Sequence, residues 1–398
     1  MVQVSNAVSR WGSSGLACLT GLPGGPPDFS RAGVLARAEQ VAMAVGGQLG
    51  ATVDATTLLA GRAGLLGLRR GGRISAGGAT RLLSARDGWC AITLSRPDDI
   101  AAVPALLEVD EVPADPWPML QRWAAMRLVS AIIERTSLLD MPAAGLGEAA
   151  ATPPRVARIS SVGTARDVGA LLVADLSSMW AGPLCGQLLA RAGATVVKVE
   201  SPQRPDGTRA GNRAFFDWMN GEKLSYCLDF ESQADELREL LAVADIVIEG
   251  SRPAALARRG LGPDHISPRD GRIWLRISGY DQHPGRPAFG DDAAVAGGLV
   301  GTAADGPVFC ADAIADPLTG LEAALSVAES IARGGGELIE VSMAGIAAGY
   351  AASPGAASVP ECPAPPPQPP PSQRRAAELG ADNEAVRRLV SERRLLSC

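Results

Sequence analysis

From about Gly169 onward the chain alternates between short apolar runs and amphipathic stretches, and nothing else in it restricts the fold so tightly. "ALLVADL", "ATVVKVE", "LSYCLDF", "DIVIEG", "IWLRIS" and "ELIEVSM" read as strands, rich in β-branched residues. Between them lie helical segments. One is opened by Pro183 and runs through Ala192; another, "SQADELRELLAVA", carries its apolar residues at helical spacing. Near-continuous apolar strands separated by helices predict an α/β fold with a doubly wound parallel sheet.

The first 165 residues follow another pattern. A Gly/Pro-rich entry (21–27) precedes an alanine-rich helix over about 34–45, a strand at "GWCAITL" and helical segments over about 119–139. "EAAATPPR" reads as a linker. The expected division is therefore 1–165 as one unit and 166–352 as the sheet domain. A Pro-rich linker over 353–372 and a helical segment over 373–398 follow. The Pro-rich run reads as a polyproline tether or disordered spacer.

The 398 residues suffice for two or three domains, and 46% apolar content excludes wholesale disorder. A net charge of −6 gives no basic footprint for nucleic acid or an anionic membrane. Seven scattered cysteines with no Cys-x-x-Cys read as reduced thiols, and two histidines leave little for a metal centre. No segment is apolar enough to span a membrane and no signal peptide is expected, so a soluble cytoplasmic protein is anticipated. Lys198 and Lys223 are the only lysines among 37 basic residues. Read alone, they are surface residues or point charges for phosphate.

A weak internal repeat is present. "SGLACLTGLPGGPP" from Ser14 resembles "GGLVGTAADGPVFC" from Gly297, and each precedes an alanine-rich helix and a glycine turn (Gly46-Gly47 and 334–336). Aligning Glu39 with Glu322 sets Gly33 against Asp316. Neither a Gly-x-Gly-x-x-Gly fingerprint nor a P-loop occurs. The first sheet strand ends instead in "DLSSMWAGP", where the N–H groups of a helix start can receive an anion.

"VADLSSMWAGPLCGQLLARAGATVVKVESP", "NGEKLSYCLDF", "ADIVIEGSRPAALARRGLG", "LRISGY", "RPAFGDDAAVAGGLVG" and "ADPLTGLEAAL" together resemble the class III (CaiB/BaiF-type) CoA-transferase family, in its own order. Residues 11–150 are similar to the family's later portion, so a half without a nucleophile precedes the half that has one. The resemblance implies a Rossmann-like sheet domain plus a smaller α+β domain. It also implies a homodimer, acyl-CoA and a free carboxylic acid as substrates, and no cofactor beyond the coenzyme A thioester itself.

Residue by residue, the resemblance makes Asp316 the nucleophile, although Asp316-Pro317 alone reads as a helix N-cap. A helix start also favours the ionised carboxylate that attack on a thioester needs. Arg258 matches an arginine contacting CoA phosphate; its plain alternative is a solvated helix-face arginine. Gly250, Ser251 and Arg252 fall at the strand end where the family's nucleotide lies, as ligands do in such sheets. Trp180 and Ala181 match the first CoA-contacting turn, Trp180 being equally readable as core. Ser201 and Leu228 match further contacts. Pro287 stands where the family has a lysine, and Gly77-Gly78 is the candidate for its glycine loop. Two alternatives remain beside the transferase. One is an α-methylacyl-CoA racemase-like enzyme, which lacks its histidine at Phe289 but has Asp291 and Asp292 nearby. The other is a catalytically silent CoA-binding protein.

Overall fold

The computed structural model describes residues 2–164, 166–250, 256–355 and 362–395. Three helices open the chain: α1 (Val2–Ser13), α2 (Ala32–Leu49) and α3 (Ala55–Leu66). Asp54 caps α3 by accepting the N–H groups of Thr56 and Thr57 at 3.1 and 3.2 Å. A small antiparallel sheet follows, of β1 (Thr80–Ser84), β2 (Trp89–Thr93) and β3 (Ala143–Gly145) in that order. Helices α4 (Trp117–Ala125) and α5 (Val129–Leu138) cover it, sealing a core around Leu83, Ile92, Leu120 and Ile132.

The second sheet comprises β4 (Arg155–Arg158), β5 (Leu172–Asp175), β6 (Thr195–Glu200), β7 (Leu224–Cys227), β8 (Ile246–Glu249) and β9 (Ile273–Ser278), closed by a late strand. Its helices are α6 (Ala181–Arg191), α7 (Arg213–Asn220) and α8 (Ala234–Val243). Then come α9 (Gly290–Ala296), the hairpin β10 (Val300–Ala303) and β11 (Gly306–Phe309), α10 (Ala315–Ala332), the late strand β12 (Glu337–Ser342), α11 (Met343–Ala351) and α12 (Asn383–Leu395). The strand order is β4-β12-β9-β8-β5-β6-β7. All neighbours are parallel except β4, which runs antiparallel to β12. This is the doubly wound α/β sheet expected, with the strand order reversing about β5, and the smaller α+β unit beside it.

Several local expectations change. The stretch read as a linker ends in β4, an exposed arginine-bearing edge strand. Gly46 and Gly47 lie inside α2, whose turn falls at Gly50 with φ 66°. In the repeat, residues 16–19 are helical where residues 300–303 form β10, so only the long helices correspond. Residues 362–371 lie extended and packed. Glycines 12, 15, 61 and 64 leave no room for a Cβ beneath Pro363, Pro367, Gln368 and Pro370. No described helix is long and apolar enough to cross a membrane.

Helix α10 is the hub of the main core. It packs on α2, α6 and α11, with Leu318, Leu321 and Val327 fully buried. Gly320 permits the approach to α6, since a Cβ there would stand 2.6 Å from the Ala181 carbonyl.

Candidate active site

Two strained turns meet at the start of α10. Ala311 and Ala313 take φ of 57° and 42°, left-handed values that alanine adopts at a cost, and they flank the buried Asp312. Met179 (φ 74°) does the same at the end of β5, just before Trp180 and α6. Asp316 is not the N-cap. Ile314 holds that position and Asp316 is the second helical residue, so its carboxylate is not consumed in capping. It is partly accessible to solvent, yet packed closely by protein. The N–H groups of Gly290 and Ala181 face it. A side chain at Gly290 would collide with the Asp316 carboxylate and the Ala313 carbonyl, so glycine is required there.

The electrostatics are unusual. Burial pushes Asp316 up to about 7, an effect that Arg62 opposes and Asp291 reinforces. Burial and the Asp312 charge lift Asp291 to about 6. Burial lifts Asp292 to about 7, against the Phe289 N–H and the Thr93 hydroxyl that donate to it, each at 3.0 Å. Arg62 is the cation of this acidic group. Its Nη1 donates to both oxygens of Asp312, at 2.6 and 2.7 Å, across 250 residues. Its guanidinium lies 5.6 Å from the Trp180 ring and 5.5 Å from Phe215, which themselves meet edge to face at 5.3 Å. Gly77 comes within 3.8 Å of Nη2, measured from a Cβ placed on it, and the Thr80 hydroxyl is 3.5 Å from Asp291. The N-terminal residues thus supply the cation, the glycine turn and two threonines around Asp316.

Behind the Ser177–Trp180 turn lies a buried ion-pair network. Lys223 Nζ donates to Asp175 at 2.7 Å and to the Pro183 carbonyl at 2.8 Å. Lys198 Nζ donates to Asp206 and to the Ser177 carbonyl, both at 2.7 Å. Asp206 in turn accepts the Met179 N–H at 3.2 Å. Burial would raise Asp175, but Lys223 and Lys198 outweigh it and hold the carboxyl below its ordinary value. This corrects the reading of the two lysines as surface or phosphate-binding groups. Both are enclosed, and beside Lys223 a Cβ on Gly186 would lie only 3.1 Å from Nζ, so the compact ammonium fits because glycine stands there.

The other expected residues separate into groups. Trp180 is buried, its indole N–H without a partner, and sits beside Arg62. Ala181 faces Asp316. Gly250, exposed at the end of β8, packs 3.1 Å from Ser177 by the same Cβ measure. Arg258 is exposed on the turn beyond, and Ser201 is half-buried in a turn after β6. Leu228 is wholly in the second core, so any contact there falls to its backbone. Ser251 and Arg252 lie outside the described residues. Sequence reading missed Arg62, Asp312, Thr93 and Gly290. Two signals were present: one charge amid the apolar residues of "TLLAGRAGLL", and the i,i+4 spacing of the aspartates in "ADAIAD".

Residues 170–378 match the family described as CoA-transferase family III. The chain is 32% identical over 181 residues to the succinyl-CoA–L-malate CoA-transferase beta subunit of Chloroflexus aurantiacus, covering 41% of this chain and 45% of that protein. It is 32% identical over 165 residues to the formyl-CoA:oxalate CoA-transferase of Escherichia coli O6:H1, covering 37% and 40%. A CAIB/BAIF family protein from Brucella suis of known structure is 28% identical, with a TM-score of 0.43 over 48% of this chain and 56% of that one. The chain thus spans less than half the length of these curated relatives.

Proposed function

The chain belongs to CoA-transferase family III, and from that premise we propose that it moves coenzyme A from an acyl-CoA to a free carboxylic acid, with Asp316 as the nucleophile. One observation carries the reading: a solvent-accessible aspartate at the start of a buried helix, faced by two backbone N–H groups. An Asp316 oxygen attacks the thioester carbonyl, the C–S bond breaks, and CoA thiolate leaves a mixed anhydride. The thiolate then attacks the Asp316 carboxyl carbon, expelling the donor acid and forming an aspartyl-CoA thioester. The acceptor carboxylate attacks that thioester, and the steps run in reverse to give the new acyl-CoA. Each step exchanges one acyl bond for another, so one difficult transfer becomes several easier ones. The Ala181 and Gly290 N–H groups are placed to steady the oxyanion that forms at the Asp316 carboxyl carbon. The nucleotide would lie across the carboxyl ends of β5 and β8, by Gly250, with Arg252 and Arg258 on its phosphates. The same reading takes in a cytoplasmic homodimer, checked by light scattering on the purified protein.

The test is mass spectrometry after incubation with a panel of acyl-CoA thioesters. The peptide bearing Asp316 should gain coenzyme A, and hydroxylamine should convert the adduct to a hydroxamate. Labelling at another carboxylate, with Asp316→Ala still active, overturns the assignment.

A further inference from the structure

We infer that Arg62 is the receptor for the substrate acid's carboxylate, and that Asp312 occupies the place of that carboxylate in the resting protein. The inference rests on the CoA-transfer reading for its substrate class, but its observations are separate. Arg62 commits only Nη1 to Asp312, while Nε and Nη2 make no hydrogen bond among the described residues. The side chain keeps 23% of its surface exposed, and the turn nearest Nη2 carries glycine at 77 and 78, which place no side chain there. A guanidinium offers a planar fork suited to a carboxylate, and this one lies within 5.6 Å of the Trp180 ring and 5.5 Å of the Phe215 ring. Among the described residues, Arg62 is the positive charge that acts on Asp316, Asp291 and Asp312. A carboxylate arriving beside these groups needs that charge.

The Arg62–Asp312 pair already displays the contact. An aspartate carboxylate rests on the guanidinium at hydrogen-bonding distance, carried by a backbone segment with left-handed alanines on either side. The contact uses one nitrogen of the fork, so Asp312 and an incoming carboxylate compete for a single positive charge. The first half of the chain therefore acts in the reaction through one side chain that reaches the second half's nucleophile.

The experiment measures binding of acetate, succinate and octanoate by saturation-transfer NMR, on the full-length protein without CoA. Asp312→Asn removes the competing charge and should tighten binding of at least one acid by about tenfold, the lower range of a charge-assisted contact. Arg62→Met alone strands Asp312 as an unpaired buried charge and risks misfolding. The double variant Arg62→Met with Asp312→Asn removes both charges and should bind none of the three. Unchanged or weaker binding by Asp312→Asn overturns the inference, as does binding by the double variant equal to that of Asp312→Asn. Formation of the Asp316–CoA adduct, measured separately with acyl-CoA, reports on the transferase reading alone. If no adduct forms but the binding pattern holds, the carboxylate receptor stands and the transfer reading falls.

Discussion

Helices α2 and α10 have the same length of 18 residues, lie side by side in one core, and differ most at their second residue. In α10 that residue is Asp316, set between two strained turns with N–H groups before it. In α2 it is Gly33, where a Cβ would collide with the Pro354 carbonyl. The helical scaffold is thus duplicated, and the carboxylate is not. What separates the two is the surroundings: facing N–H groups of Ala181 and Gly290 at α10, and a backbone pressed against the helix start at α2. Helix position alone does not make a candidate site.

Replacing the carboxylate tests that contrast most severely. Asp316→Ala should lower CoA transfer by at least about 10³-fold while the protein stays folded, measured as acyl-CoA formed per enzyme. Next in size is the frame behind the turn. Lys223→Met leaves Asp175 buried without its partner and should cost about 3–5 kcal/mol in urea unfolding. A loss below about 1 kcal/mol would mean the network is incidental to the turn that faces α10.

Gly33→Asp attempts to copy the second helix onto the first. It should destabilise by about 1–3 kcal/mol, because the Pro354 backbone must move, and it should take up no covalent coenzyme A. The pH profile sharpens the comparison further. Attack requires the ionised form, and Asp316 is pushed up to about 7, so kcat/KM should fall about tenfold per unit as pH drops below that value. A profile flat down to about pH 5 would contradict the shift. The smallest effect concerns stability. The folded protein holds the Asp316 proton to a higher pH than the unfolded chain does. Its stabilising contribution is thus complete below the ordinary carboxylate value and is lost as pH rises through about 7. Asp316→Asn escapes that loss. It should melt a few degrees above the native protein near about pH 8 and no higher near about pH 4.

The strands of the parallel sheet were legible because each is a short apolar run bounded by a helix, and local pattern suffices for that. The edge strand β4 was not. "RVAR" carries two arginines and is exposed throughout, so its pairing with β12 leaves no apolar signature. Asp316 was legible through its neighbours along the chain and the family they resemble. Arg62 was not, since its partner Asp312 lies 250 residues away and nothing local to α3 announces the pair. The lysines failed for a related reason: a charged residue within or just before a strand reads as surface until its buried counter-charge is located.

The packed Pro-rich segment has a consequence for how the molecule is assembled. Its residues close over glycines of α1's end and of α3, about 300 residues earlier in the chain. During synthesis the first helices leave the ribosome long before the segment that covers them, and before α10, their main partner in the core, exists. The early half is therefore made before the partners that cover Leu35, Val45 and Leu59 exist. Once the segment docks, α3 is held from outside, and Arg62 with it, so that a late stretch of the chain locks in place a group supplied by an early one.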